Sequence, residues 1–106
     1  MALIHMLMRL KNEGIVTRFD MLGSQKAKAH LITNGSIILC MPDDYIIGDT
    51  AIREAVGGNP RPEYIVYNDW SNVTENALEQ ARKLNIPLIR FGRLRYILDE
   101  RLGKEN

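Results

Sequence analysis

The segment AHLITNGSIILCM, residues 29–41, constrains the fold more than any other part of the chain. Two short apolar runs flank the dipeptide NG, and this pair between apolar runs is the strongest short-range signal for a β-hairpin. We therefore expect strands over about Ala29–Thr33 and Ser36–Met41. Pro42 should end the second strand because proline has no backbone N–H to donate. Any fold of this chain must therefore accommodate a hairpin at this point.

The remaining patterns predict four helices and three further strands around the hairpin. Apolar residues at helical spacing predict a first helix over Ala2–Glu13 that stops at Gly14. The other predicted elements are strands over 15–21, 63–69 and 86–91 and helices over about 51–56, 72–85 and 94–102.

Capping residues set the predicted helix starts. Asp49 or Thr50 should cap the second helix, and Asn72, with Glu75 three residues later, should cap the third. Since that third helix separates two strands, those strands should form a right-handed parallel pair. The predicted order is αβββαβαβα.

Length and composition favour one domain over residues 1–106. Hydrophobic residues make up 45% and charged residues 25% of the 106 positions, as in an ordinary globular domain. No apolar run approaches the roughly 20 residues that span a bilayer, and the N-terminus lacks a signal-peptide pattern. We therefore expect a cytoplasmic protein that does not contact a membrane. The single cysteine, Cys40, should be a small core residue, since it cannot form an internal disulfide.

The charge balance restricts how this chain could bind nucleic acid. The net charge is only +1, so binding to DNA or RNA would have to rest on local clusters of cations. Two such clusters exist, and Trp70 follows the fourth predicted strand, where it could stack on a base. The candidate nucleic-acid contacts are therefore Lys26, Lys28, His30, Trp70, Arg90, Arg93 and Arg95.

The C-terminal third, YIVYNDWSNVTENALEQARKLNIPLIRFGRLRYIL, resembles the end of Mrr-type restriction endonuclease domains. In that family a strand leads to an apolar residue, a threonine and two alanines four apart, and then to a strand that ends in glycine before a leucine-bearing helix. The matching positions here are Val73, Thr74, Ala77, Ala81, Ile86, Leu88, Ile89, Gly92 and Leu94. The order αβββαβ over residues 1–70 is also the core of the wider PD-(D/E)XK superfamily. This resemblance implies a restriction-endonuclease-like α/β domain with a mixed five-stranded sheet flanked by helices.

The same resemblance supplies a test for catalysis. Active members carry an aspartate at the start of the second strand, and an acidic residue or glutamine, a spacer and a lysine along the third. These acids bind Mg²⁺, which activates a water for attack on phosphate. Here His30 aligns with the first acid, and Leu39, Cys40 and Met41 align with the second group. We therefore expect a nuclease-like module without a metal or catalytic residues, which binds nucleic acid or scaffolds a nucleic-acid-processing complex.

Two alternatives remain open at the level of sequence. An active nuclease could use a relocated acidic site drawn from Asp20, Asp43, Asp44 and Glu54, with Mg²⁺ as its cofactor. The protein could instead be an interaction or homodimerisation module that binds no nucleic acid. For partners, we expect DNA or RNA together with a second copy of the chain or a larger complex.

Overall fold

Four helices and seven strands form in the computed structural model, which describes residues 2–33, 35–42 and 44–104, with side chains described through residue 98. In chain order the elements are α1 (Leu3–Asn12), β1 (Val16–Met21), β2 (Lys26–Leu31), β3 (Ser36–Cys40), β4 (Ile46–Ile47), α2 (Asp49–Gly57), β5 (Tyr64–Tyr67), β6 (Asn72–Val73), α3 (Glu75–Lys83), β7 (Leu88–Arg90) and α4 (Phe91–Lys104).

Five of the strands form one mixed sheet in the order β1-β2-β3-β5-β7. The first three strands are antiparallel neighbours, whereas β5 and β7 run parallel to β3. Parallel neighbours need a crossover connection, and the helices α2 and α3 supply the two crossovers. The predicted α/β class, with a mixed five-stranded sheet flanked by helices, is therefore confirmed.

A second, two-stranded parallel sheet joins β4 to β6. These strands lie in the connections that follow β3 and β5, and the backbone N–H of Asn72 donates to the carbonyl of Tyr45 at 2.7 Å. Each strand has only two residues, which is too short for any periodic pattern. No sequence pattern therefore indicated this sheet, but it holds two loops together at the carboxyl end of the parallel strands.

The two sides of the large sheet are covered differently. On one side, α1 and α4 pack over a core in which Leu7, Leu10 and Leu94 are fully buried. On the other side, α2 and α3 pack against each other and over a smaller core around Ile52 and Ile65. Side chains alternate between the two sides along β2 and β3, whereas the register of β1 shifts between Val16 and Arg18.

The predicted hairpin forms, but the bounds of its first strand differ from the prediction. The strand β2 begins at Lys26, and the backbone N–H of Leu31 donates to the carbonyl of Gly35 at 2.7 Å. Ile32 and Thr33 therefore belong to the turn, while Asn34 lies outside the described residues. Lysine and alanine are depleted in strands, so LGSQKAK, residues 22–28, has the composition of a polar connection. Ala27 and Ala29 are small enough to lie buried against the helices, and this packing overrides the weak strand propensity.

Three helix boundaries in the structure also differ from the predicted ones. The cap of α3 is Thr74, whose Oγ1 accepts from the N–H of Ala77 at 3.0 Å, so Asn72 is not the cap. The N-cap of α2 is Gly48, and Asp49 already lies inside the helix. The last helix begins at Phe91, so β7 is shorter than predicted.

The end of the first helix agrees with the prediction. Glu13 is the C-cap of α1, and Gly14 follows it with φ of +80°, a left-handed conformation that favours glycine.

Candidate nucleic-acid interface

Among the helices that the structure describes, none covers the β1–β2 half of the large sheet on the side where α2 and α3 lie. Those helices cover Cys40 at the end of β3 and the parallel strands, whose Ile65 is fully buried. On β2 the buried alanines face the opposite core, so alternation turns the intervening polar side chains toward this uncovered side. We call this surface the open face, and its charged residues are Arg18, Asp20, Lys26, Lys28 and His30.

The strand register brings the charges of the open face together. Asp20 lies opposite Lys28, and Arg18 lies opposite His30. The Nε2 of His30 is 3.1 Å from Oδ2 of Asp20, and the hydroxyl of Thr17 donates to the backbone carbonyl of His30 at 3.2 Å. The open face thus has three cationic side chains, those of Arg18, Lys26 and Lys28. Its one carboxylate is that of Asp20, which contacts the ring of His30. The open face is therefore basic, although the whole chain has a net charge of only +1.

Lys26 lies at the edge of this surface, beside a cleft of about 330 Å³. Its Nζ donates to the carbonyl of Pro60 at 2.9 Å. A Cβ at Gly58 would lie 2.6 Å from the same Nζ, so the loop approaches this closely because residue 58 has no side chain. Lys26 therefore holds the loop after α2 against the start of β2.

Cys40 lines the same cleft and is 4% exposed, as expected of a core residue. Burial raises the pKa of the Cys40 thiol, and the nearby charge of Lys26 lowers it by a smaller amount. The thiol is therefore held in its protonated form, which is the unreactive one.

The acidic residues considered for a relocated site occupy different places. Asp20 lies on the open face, whereas Asp44 and Glu54 line the cleft. Asp43 lies outside the described residues. Among the residues that the structure describes, no group of three or more His, Cys, Asp or Glu side chains is arranged to hold a metal ion.

The strands β2 and β3 show which positions could carry a motif on the open face. Lys26 pairs with Cys40, Lys28 with Ile38 and His30 with Ser36. Leu39 and Met41, aligned above with the second catalytic group, point instead into the core under α1 and α4. That frame does not fit the structure, because alternation along β3 gives the outward positions to Ser36, Ile38 and Cys40. The outward positions of β2 and β3 contain no carboxylate.

The three candidate arginines have different surroundings. The Nε of Arg90 is 3.7 Å from Oδ1 of Asp69, and its guanidinium carbon is 5.9 Å from the ring centroid of Tyr67. Arg93 is exposed on the first turn of α4. Arg95 forms an ion pair of 2.5 Å with Glu13. This last contact joins α4 to the end of α1, which gives Arg95 a structural role.

Trp70 forms an exposed aromatic pair with Tyr45. Their ring centroids are 6.2 Å apart, and the planes differ by 13°. Trp70 is 45% exposed and Tyr45 is 61% exposed, so the tryptophan does not close the hydrophobic core. The sequence did not predict Tyr45 as a site residue, because it is 25 positions from Trp70. The β4–β6 sheet brings the two residues together. Arg18 was likewise missed, although its place on the polar side of an alternating strand was a usable signal.

Searches against protein-family models, curated proteins and solved structures found no match to this chain. None of the helices in the described part of the chain is both long and apolar enough to cross a membrane.

Proposed function

We propose that this protein is a nucleic-acid-binding module with a restriction-endonuclease-like architecture that lacks metal-dependent cleavage. The proposal rests on the charged residues of the open face. Three cations on two neighbouring strands would contact phosphates, and Lys28 stands at the centre of the group. Arg90, Arg93 and Trp70 would extend the contact area at the carboxyl end of the parallel strands.

The geometry of the open face supports this function over a merely solvated surface. The cations lie on a rigid sheet rather than on loops, so binding would cost little backbone ordering. Lys28 and His30 are half-buried, and their backbones are fixed by neighbours on both sides. Asp20, the carboxylate of this surface, is held beside His30, which reduces its repulsion of a phosphate.

The architecture supports the absence of cleavage. Active PD-(D/E)XK enzymes place their acids and lysine on the second and third strands of the sheet. In this chain the outward positions there are filled by lysine, histidine, serine, isoleucine and cysteine. A binding role without catalysis fits these residues, because none of them supplies a carboxylate to hold Mg²⁺.

A matched pair of lysine variants tests the proposal. We expect Lys28→Ala to weaken binding of labelled DNA and RNA oligonucleotides and to reduce the slope of log affinity against log salt by about 1. Lys83→Ala, which removes an exposed lysine from the last turn of α3, should change neither quantity. Fluorescence anisotropy over a salt series measures both.

The same protein, incubated with Mg²⁺ or Mn²⁺, should leave the oligonucleotides intact. Equal behaviour of Lys28→Ala and Lys83→Ala would refute the open face as the binding surface. Metal-dependent cleavage that Asp44→Ala or Glu54→Ala abolishes would instead establish the relocated-site nuclease.

A further inference from the structure

The strand β1 is an outer strand of the large sheet, and no strand in the described part of the chain pairs with the edge that faces away from β2. The N–H of Leu22 donates to the carbonyl of Lys26 at 2.9 Å. In an antiparallel ladder this direction alternates, so Arg18 and Asp20 also direct their backbone groups toward β2. Phe19 and Met21 therefore direct their N–H and C=O groups outward, where another strand could pair with them.

The sequence of this edge is complementary to itself. If a second copy pairs antiparallel with β1 about Phe19, the two Phe19 residues lie opposite each other and exchange backbone hydrogen bonds. Arg18 of each copy then lies opposite Asp20 of the other copy. These are non-hydrogen-bonded pairs, in which Cα atoms are about 4.5 Å apart and side chains lie closest. The pairing thus forms two symmetric contacts between opposite charges.

The surroundings of β1 fit a second copy as well. Met21 is 36% exposed and Leu22 is 47% exposed at one end of the strand. The helix α1 packs on β1 and β2, and it exposes Ile4 and Met8, which lie one turn apart. An isologous pairing through β1 places the two copies of α1 on the same side of the joined sheet.

We propose that the chain forms a homodimer through antiparallel pairing of β1 about Phe19, which joins the two five-stranded sheets into one. The proposal is independent of nucleic-acid binding, since its test requires only the purified protein. It also predicts that the two open faces lie side by side on one surface, because the two-fold axis runs perpendicular to the sheet.

Charge-swap variants test the pairing and its register. Arg18→Asp places two acids opposite each other, and Asp20→Arg places two cations opposite each other. Each variant alone should raise the dimer dissociation constant about tenfold or more, because attraction becomes repulsion at both symmetric contacts.

An equimolar mixture of these two variants should form a heterodimer. In the proposed register, the introduced aspartate of one copy lies opposite the introduced arginine of the other. Asp20 of the first copy then lies opposite Arg18 of the second. Both contacts are then attractive, which happens only if position 18 of each copy lies opposite position 20 of its partner. The double variant R18D/D20R restores both opposite-charge contacts within a homodimer and should dimerise like the parent.

Molar mass from sedimentation equilibrium over a concentration series gives the dissociation constants, and circular dichroism spectra establish that each variant is folded. Asp20→Asn is the matched control for losing the contact with His30, and it should weaken the dimer less than Asp20→Arg. A parent chain that is monomeric throughout the series would overturn the proposal. So would a dimer that neither the mixture nor the double variant restores.

Discussion

The ion pair between Arg95 and Glu13 indicates that Arg95 stabilises the fold rather than binding nucleic acid. The contact joins side chains 82 positions apart and attaches α4 to the end of α1. The Arg95 side chain is 39% exposed and that of Glu13 is 30% exposed, so the pair is partly desolvated. Fully exposed pairs contribute about 0.2–1 kcal/mol, and solvent screening applies here to more than a third of the arginine. We therefore expect a coupling free energy of about 1 kcal/mol, at the upper end of that range.

A double-mutant cycle measures this coupling directly. Glu13→Ala, Arg95→Ala and the double variant are unfolded with urea, and the non-additive part of the three changes in unfolding free energy is the coupling. Loss of about 1 kcal/mol should also lower the melting temperature by about 4–8 °C in a domain of this size. The coupling should shrink in high salt.

Nucleic-acid binding provides the second readout for the same variants. Because the guanidinium of Arg95 is already paired, Arg95→Ala should reduce oligonucleotide affinity less than Arg93→Ala does. A coupling indistinguishable from zero would refute the structural role. A larger loss of binding in Arg95→Ala than in Arg93→Ala would place Arg95 among the phosphate contacts instead.

Two further predictions follow from the described contacts. Thr74→Ala should cost about 1 kcal/mol of unfolding free energy because it removes the cap of α3, whereas Asn72→Ala should cost less; equal losses in urea denaturation would contradict the observed cap. Since burial raises the pKa of the Cys40 thiol, the folded chain holds this proton more tightly than the unfolded chain. The corresponding stability is present below the unfolded pKa and falls as the pH rises toward the folded value, so Cys40→Ala should flatten the alkaline part of a stability-against-pH curve. Parallel curves for the two proteins would show that the thiol titrates alike in the folded and unfolded states.

Regular periodicity carried most of the fold prediction. The alternation predicted over residues 15–21 is interrupted, since the register of β1 shifts between Val16 and Arg18. The apolar stripe of α1 and the paired alanines of α3, in contrast, each lie on one element and bury one side of it. Such patterns are set by local geometry, so the sequence shows them directly. They were enough to predict the α/β class and the mixed sheet.

The errors arose where contacts across the fold decide the structure. The start of β2 depends on the small alanines that fit beneath the helices, which outweighs the low strand propensity of KAKAH. The cap moved from Asn72 to Thr74 because Asn72 pairs with Ile46 in the small sheet. Neither effect leaves a local signature, since each depends on a partner far away in the sequence.

The candidate site divides in the same way. Lys26, Lys28 and His30 could be grouped from the sequence because they lie close together in the chain. That they share one side of a strand follows only from the start of β2 at Lys26. The pairing of Asp20 with His30 depends on the register between two strands. The meeting of Tyr45 with Trp70 depends on two loops that are held together by the β4–β6 sheet.

The stacked pair of Tyr45 and Trp70 gives the chain its own fluorescent probe. Trp70 is the single tryptophan of the sequence, so its emission dominates when the protein is excited at the red edge of the absorption band. Because the indole is solvent-exposed and lies at the carboxyl end of the parallel strands, its signal reports on that end rather than on the core. A ligand that reaches the loops around β4 and β6 should change this emission without any added label. Association through the distant β1 edge should leave the emission unchanged. Tryptophan fluorescence therefore distinguishes ligand binding at these loops from association of two chains.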